Sequence, residues 1–177
     1  HYEIYNNLFL KGGLKLREGF HRRVYNNIAV NNSLHPHVWY DNSMDVVTGN
    51  IWMGAYRPAG GMPSKQWGRE IDRNLFTNAN DRDKFKANGC DSNSVVGDPM
   101  FIDPANGDYR VIDDSPALKI GFRNFPMDQF GVQEESLKTI ARTPVIPGLN
   151  ANPKTSSQGK ALAATDIVWL GANLEEL

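Results

Sequence analysis

The chain holds one cysteine, Cys90, among 177 residues, so it has no internal disulfide framework and no zinc-ligand spacing. No histidine stands near Cys90 in sequence, which marks it as a structural thiol rather than a nucleophile. The net charge is −1 and basic runs are missing, which argues against a nucleic-acid partner or a membrane-surface binder. There is no apolar stretch of membrane-spanning length and no signal peptide. Because His1 opens the chain inside an apparent repeat, we expect a processed or truncated piece of a longer protein. What is plentiful is asparagine, with 18 copies, and glycine, with 16. With 40% hydrophobic residues, that composition describes a globular chain with many turns.

The asparagines recur in a phrase. "NNLFL" at 6–10 returns as "NNIAV" at 26–30, "GNIWM" at 49–53 and "RNLFT" at 73–77. Anchored on Asn7, Asn27, Asn50 and Asn74, the copies lie 20, 23 and 24 residues apart. Each anchor is followed at once by Leu8, Ile28, Ile51 or Leu75. Three residues before each stands Ile4, Val24, Val47 or Ile71, β-branched every time. The unit is therefore strand, tight asparagine corner, strand. A period of this length without helical spacing, and without the leucine pattern of a leucine-rich repeat, predicts a solenoid of β-strands. We expect a right-handed parallel β-helix whose equivalent residues stack about 4.7–4.9 Å apart. The asparagines would form a ladder at a corner that needs left-handed backbone geometry, which asparagine tolerates.

After the fourth copy the pattern changes. Residues 79–92 are polar and read as an excursion from the coil, and 94–122 follows with two short strands around the "NGD" turn at 106–108. One short helix is predicted over about 133–142, stopped by Pro144. Residues 147–165 are rich in Gly, Asn, Pro and Ser and read as an extended linker.

"VVGDPMFIDPANGDYRVIDDSPALKIGF" at 95–122 resembles the closing rung of bacterial right-handed parallel β-helix proteins of the pectate-lyase-like superfamily. "LKLREGF" at 14–20 and "HPHVWYDN" at 35–42 resemble segments of its glycoside-hydrolase-like members. "VWLGANLEEL" at 168–177 resembles the first strand of a PDZ-like module that follows some of them. The resemblance implies an all-β solenoid: coils and closing strands over 1–122, an extended tail with a short helix over 123–165, and a PDZ-like start over 166–177. It further implies a bacterial protein that is secreted, periplasmic or at the cell surface and acts on polysaccharide. Further N-terminal rungs of the same protein would then be this chain's partner.

Counting back from the asparagines locates candidate chemistry. Glu18 lies nine residues before Asn27, and Asp41 nine before Asn50. If no bulge intervenes, the two carboxylates stack on successive rungs as an acid/base and nucleophile pair in either order, near the roughly 5–5.5 Å separation of a retaining glycosidase, which side-chain rotamers can widen toward the roughly 6.5–9.5 Å of an inverting one. Like charges at that distance would split the pair's pKa values. Otherwise Asp41 caps the "DN" turn and Glu18 pairs with Arg17 or Arg22. His35 and His37 flank Pro36. His37 is expected to assist proton transfer and His35 to bond a sugar hydroxyl, the alternative being turn histidines bonded to backbone. Trp39 and Tyr56 supply ring faces for sugar C–H packing, unless they belong to the core. Arg22, Asp45 and Arg57 are expected at the rim, beside a long glycine- and proline-rich loop over 54–68.

Three functions fit these residues. The first is a glycoside hydrolase with a paired-carboxylate mechanism, working on a glycan with no cofactor and no metal. The second is a polysaccharide lyase, with Lys15, Arg17 or Arg22 in place of the carboxylates and calcium as its cofactor; no acidic cluster for calcium is evident in the sequence. The third is a non-catalytic, glycan-binding or adhesive β-helix.

Overall fold

The computed structural model describes residues 1–129 and 131–140. The proposed linker, the end of the proposed helix and the PDZ-like start lie outside these residues. The chain coils as a parallel β-solenoid of about five turns. One sheet stacks β1 (Glu3–Tyr5), β4 (Arg23–Tyr25), β7 (Val46–Thr48) and β9 (Glu70–Ile71). A second stacks β2 (Leu8–Phe9), β5 (Ile28–Ala29), β8 (Ile51–Trp52), β10 (Leu75–Phe76) and β11 (Val95–Val96). A third pairs β3 (Leu14–Arg17) with β6 (Leu34–His37). Every pairing in these three sheets is parallel.

The corner between the first two sheets is built by the predicted ladder. The Asn7 amide donates to Asn27 Oδ1 (2.9 Å), Asn27 to Asn50 Oδ1 (2.9 Å) and Asn50 to Asn74 Oδ1 (3.0 Å). Each backbone N–H joins the same oxygen of the next rung. Buried polar groups must be paired, and this column pairs them rung by rung. The left-handed residue of each corner is not the ladder asparagine but the one before it: Asn6, Asn26, Gly49 and Arg73, with φ of 56°, 55°, 66° and 51°. The ladder position needs a side-chain amide, and the neighbour supplies the backbone freedom.

Strand parity divides the apolar residues between two cores. Val24, Ala29, Leu34, Val47, Trp52, Ile71 and Phe76 point into the coil. Ile28, Ile51 and Leu75 point out of the second sheet and are covered by Tyr109, Val111, Ala117, Ile120, Phe122 and Phe125. The covering residues come from β12 (Phe101–Asp103), β13 (Asp108–Val111), α2 (Pro116–Lys119) and the segment after it. β12 and β13 pair antiparallel around Gly107. The polar excursion forms a short helix, α1 (Ala79–Asp83), and a 3-10 turn before Cys90 rejoins the coil beside Ile71. Of the predicted helix, one turn is observed, α3 (Glu135–Lys138).

Candidate functional site

Buried positions of β3 and β6 face inward (Leu16, Leu34, Pro36), so the alternate side chains stand on the outer face. The register sets Lys15 beside His35 and Arg17 beside His37. The 54–68 loop continues this sheet: Arg57 N–H donates to Leu34 O, Ala59 N–H to Pro36 O, and Ala59 bridges His37. The outer face thus carries one row of Lys15, His35 and Arg57 and a second of Arg17 and His37, with Glu18 beside it. The 54–68 loop is not a separate lip; its first residues form a third strand-like layer of the face.

The electrostatics follow from this grouping. Burial, then Arg57 and Lys15, hold the His35 imidazole below its ordinary pKa. Its Nε2 lies 2.6 Å from Asn32 Oδ1, so this nitrogen carries a proton and donates to the amide oxygen. His37 Nδ1 is buried and has no hydrogen-bond partner among the described residues. Arg17 bonds Glu18 at 3.3 Å and, with a smaller contribution from His37, holds its carboxyl below the usual carboxylate range. An ionised carboxylate beside an imidazole is able to orient a substrate or accept a proton. Just past it, Phe20 and Tyr40 stack at 5.0 Å and 11°, each 42% exposed.

The predicted carboxylate pairing depends on an unbroken register, and the register is broken. Partners are 20 residues apart in β3–β6 (Arg17 with His37) and 23 apart in β4–β7 (Arg23 with Val46). The Phe20–Tyr40 stack still keeps the separation of 20, so the three extra residues of the second coil are Asp41, Asn42 and Ser43. Glu18 is therefore level with Val38, and Asp41 sits in the inserted turn. Both are exposed, but they are not rung equivalents.

Four other predicted surface residues are interior. Arg22 and Asp45 form a fully buried ion pair, with Arg22 Nε 3.0 Å from Asp45 Oδ1, Nη1 on Arg17 O, and the guanidinium over Trp39. Trp39 is buried and donates Nε1–H to Leu16 O at 2.8 Å. Tyr56 is level with Leu34 on the inner side, and its hydroxyl donates to Asp91 at 3.1 Å. None of the four can touch a glycan; they hold the corner and core beneath the face. All four lie just outside the strands, where the alternation of inside and outside along a strand gives no guide. The Phe20–Tyr40 and Tyr5–Tyr25 stacks escaped notice in the sequence, although both recur at the same 20-residue spacing as Asn7 and Asn27.

Among the described residues no three His, Cys, Asp or Glu side chains converge on a common point. Comparison with protein-family models, curated proteins and solved structures finds no match for this chain.

Proposed function

We propose that this solenoid is part of a carbohydrate-active β-helix that engages a polysaccharide on the outer face of β3 and β6. The observation that supports this reading is the grouping of Lys15, His35, Arg57, Arg17, His37 and Glu18 on that face, next to an exposed aromatic stack. Cationic side chains and imidazoles bond sugar hydroxyls and anionic substituents, and ring faces pack on sugar C–H groups. In the hydrolase reading Glu18, kept ionised by Arg17, acts as base or nucleophile and His37 handles the proton. Asp41 remains the second carboxylate only if a substrate spans the inserted turn. The outward placement of Lys15 and Arg17 favours a second reading, a lyase, in which they face a uronate carboxylate. The pectate-lyase-like kinship, export, the PDZ-like module and further N-terminal coils belong to the same proposal. Such coils would cover Ile4, Phe9 and Leu14, which are only partly buried in the first coil.

A panel of polysaccharides incubated with the full chain tests this. New reducing ends without unsaturated products support the hydrolase, and unsaturated products the lyase. Glu18→Gln should abolish turnover and keep affinity in the first case. Binding without turnover would leave the adhesive solenoid. If the Lys15→Ala/Arg57→Ala variant binds every glycan as the parent does, this face is not the site.

A further inference from the structure

A different face carries a second group of aromatic and basic residues. Tyr5 and Tyr25 point outward from β1 and β4, pair in register, and stack at 5.0 Å with rings 4° from parallel. The next residue in that column is Thr48, too small to cover a tyrosine ring, so the stack ends in a step. The segment 120–125 runs alongside. It is clamped there by Asn26, whose Oδ1 accepts from Arg123 N–H (2.7 Å) and whose Nδ2 donates to Arg123 O (2.9 Å). Between this strap and the column lies a groove of about 580 Å³, lined among others by Tyr5, Tyr25, Thr48, Arg23, Arg73 and Arg123. That size suits a small ligand or a short stretch of polymer.

The charged residues that line the groove are all arginines, while Glu3 accepts from Arg23 and from the Tyr25 hydroxyl at its edge. Arg23 bonds Glu3 at 2.9 Å and lies 5.6 Å over the Tyr25 ring, while Arg73 bonds Glu70 at 2.5 Å. Both pairs are solvent-exposed, the kind that contributes little and exchanges readily for a ligand anion. Arg123 is exposed and forms no ion pair among the described residues. Neither Glu3 nor Glu70 lines the groove. Asp72, next in the column after Thr48, is occupied by the Asn93 backbone and side-chain amides, both at 2.7 Å.

We propose that this groove is a second saccharide subsite, selective for a sugar ring bearing a carboxylate or sulfate. The ring continues the Tyr5–Tyr25 stack over Thr48, with its C–H face on Tyr25. Its anionic group then meets Arg73 from the fourth coil and Arg123 from the strap, and planar guanidinium forks match either oxyanion. The site does not depend on the β3–β6 face, which lies on another sheet. A polymer bound at both faces would gain avidity from the linkage.

Calorimetric titration of the full chain with a uronic-acid tetrasaccharide, a sulfated galactan tetrasaccharide and neutral cellotetraose tests the proposal. The charged probes should bind more tightly than the neutral one and weaken as salt rises. Their relative affinity identifies carboxylate or sulfate as the preferred anion. Arg123→Glu, an exposed change, should lower charged-probe affinity at least tenfold with an unchanged melting temperature. Tyr25→Ala should do the same and Tyr25→Phe should not. The Lys15→Ala/Arg57→Ala variant should retain this binding, which separates failure here from failure at the β3–β6 face. The proposal is overturned if no charged probe binds saturably, if neutral and charged probes bind alike, or if Arg123→Glu changes nothing.

Discussion

Asn50 shows how much one side chain does in this fold. Its Oδ1 accepts from the Asn27 backbone (3.1 Å) and amide (2.9 Å), and its own amide reaches Val24 O, Thr48 O and Asn74 Oδ1. Apart from the part-buried Thr48 carbonyl, these groups are buried. Alanine at position 50 leaves the buried Asn27 backbone N–H without its acceptor and takes a bond from the Asn27 amide, from Val24 O and from Asn74 Oδ1, the last still held by the Asn50 N–H; each buried group left unpaired costs about 1–3 kcal/mol. Asn50→Ala should therefore lower unfolding free energy by about 3 kcal/mol, read from urea melts at constant m-value. Asn7, the half-buried first member, bonds in one direction along the ladder only. Asn7→Ala should cost clearly less than Asn50→Ala. Equal losses would mean that the ladder is decoration on a corner held by other means.

Among elements, the corner preceding each ladder asparagine admits a direct exchange. Asn6, Asn26 and Gly49 suit the left-handed backbone, but Arg73 does not, and an ordinary L-residue there is strained by about 1–2 kcal/mol. Arg73→Asn should raise stability by about 0.5–1 kcal/mol, and Gly49→Ala should lower it by about 1 kcal/mol. At Gly49 the nearest atom to an added Cβ, Ile120 O, lies at an ordinary 3.6 Å, so backbone strain alone acts. Thermal melts of the two variants should move in opposite directions. The same corner explains what the sequence could reveal. Asparagine plus flanking β-branched residues marks it in every coil, so the separations of 20, 23 and 24 residues carry the register of the first two sheets correctly. No such marker stands in the β3–β6 coil. A turn absorbs three extra residues at Asp41–Ser43 without disturbing any apolar pattern, and nine residues back from Asn50 landed inside it. Parity failed for a related reason: Arg22 and Asp45 are charged, and only their mutual burial shows that they belong to the interior.

At the scale of the whole molecule, each coil contacts its neighbours, so stability is a sum of stacked interfaces and the ends of the ladder matter. The ladder finishes on Ser94 and Asp91: Asn74 N–H donates to Ser94 Oγ (2.8 Å), and Asp91 Oδ1 accepts from Ser94 Oγ (2.6 Å), Tyr56 (3.1 Å) and the Asn74 amide (3.2 Å). Burial, aided by the Asp72 charge and opposed by these three bonds, raises the Asp91 pKa from 3.8 to about 6. Its Oδ2 is buried without a hydrogen-bond partner among the described residues, so nothing there offsets the loss of water by the charged form. Between pH 4 and 6 the folded chain therefore holds a proton that the unfolded chain has released. The Asp91 contribution to stability therefore falls as pH rises through that window, by on the order of 3 kcal/mol for a shift of this size. Asp72 works in the opposite sense: bonds from Asn93, Arg73 and Ser94 outweigh its burial and lower its pKa, so its contribution is lost only as pH drops below about 4. In urea melts across pH 4 to 7 Asp91 should contribute a decline toward neutrality, opposed near the top of the window by His35, whose lowered pKa favours the folded chain as pH rises. Asp91→Asn, unable to titrate, should remove the declining component whatever its effect on absolute stability. If the parent and Asp91→Asn show the same dependence on pH, the ladder does not end on a protonatable cap.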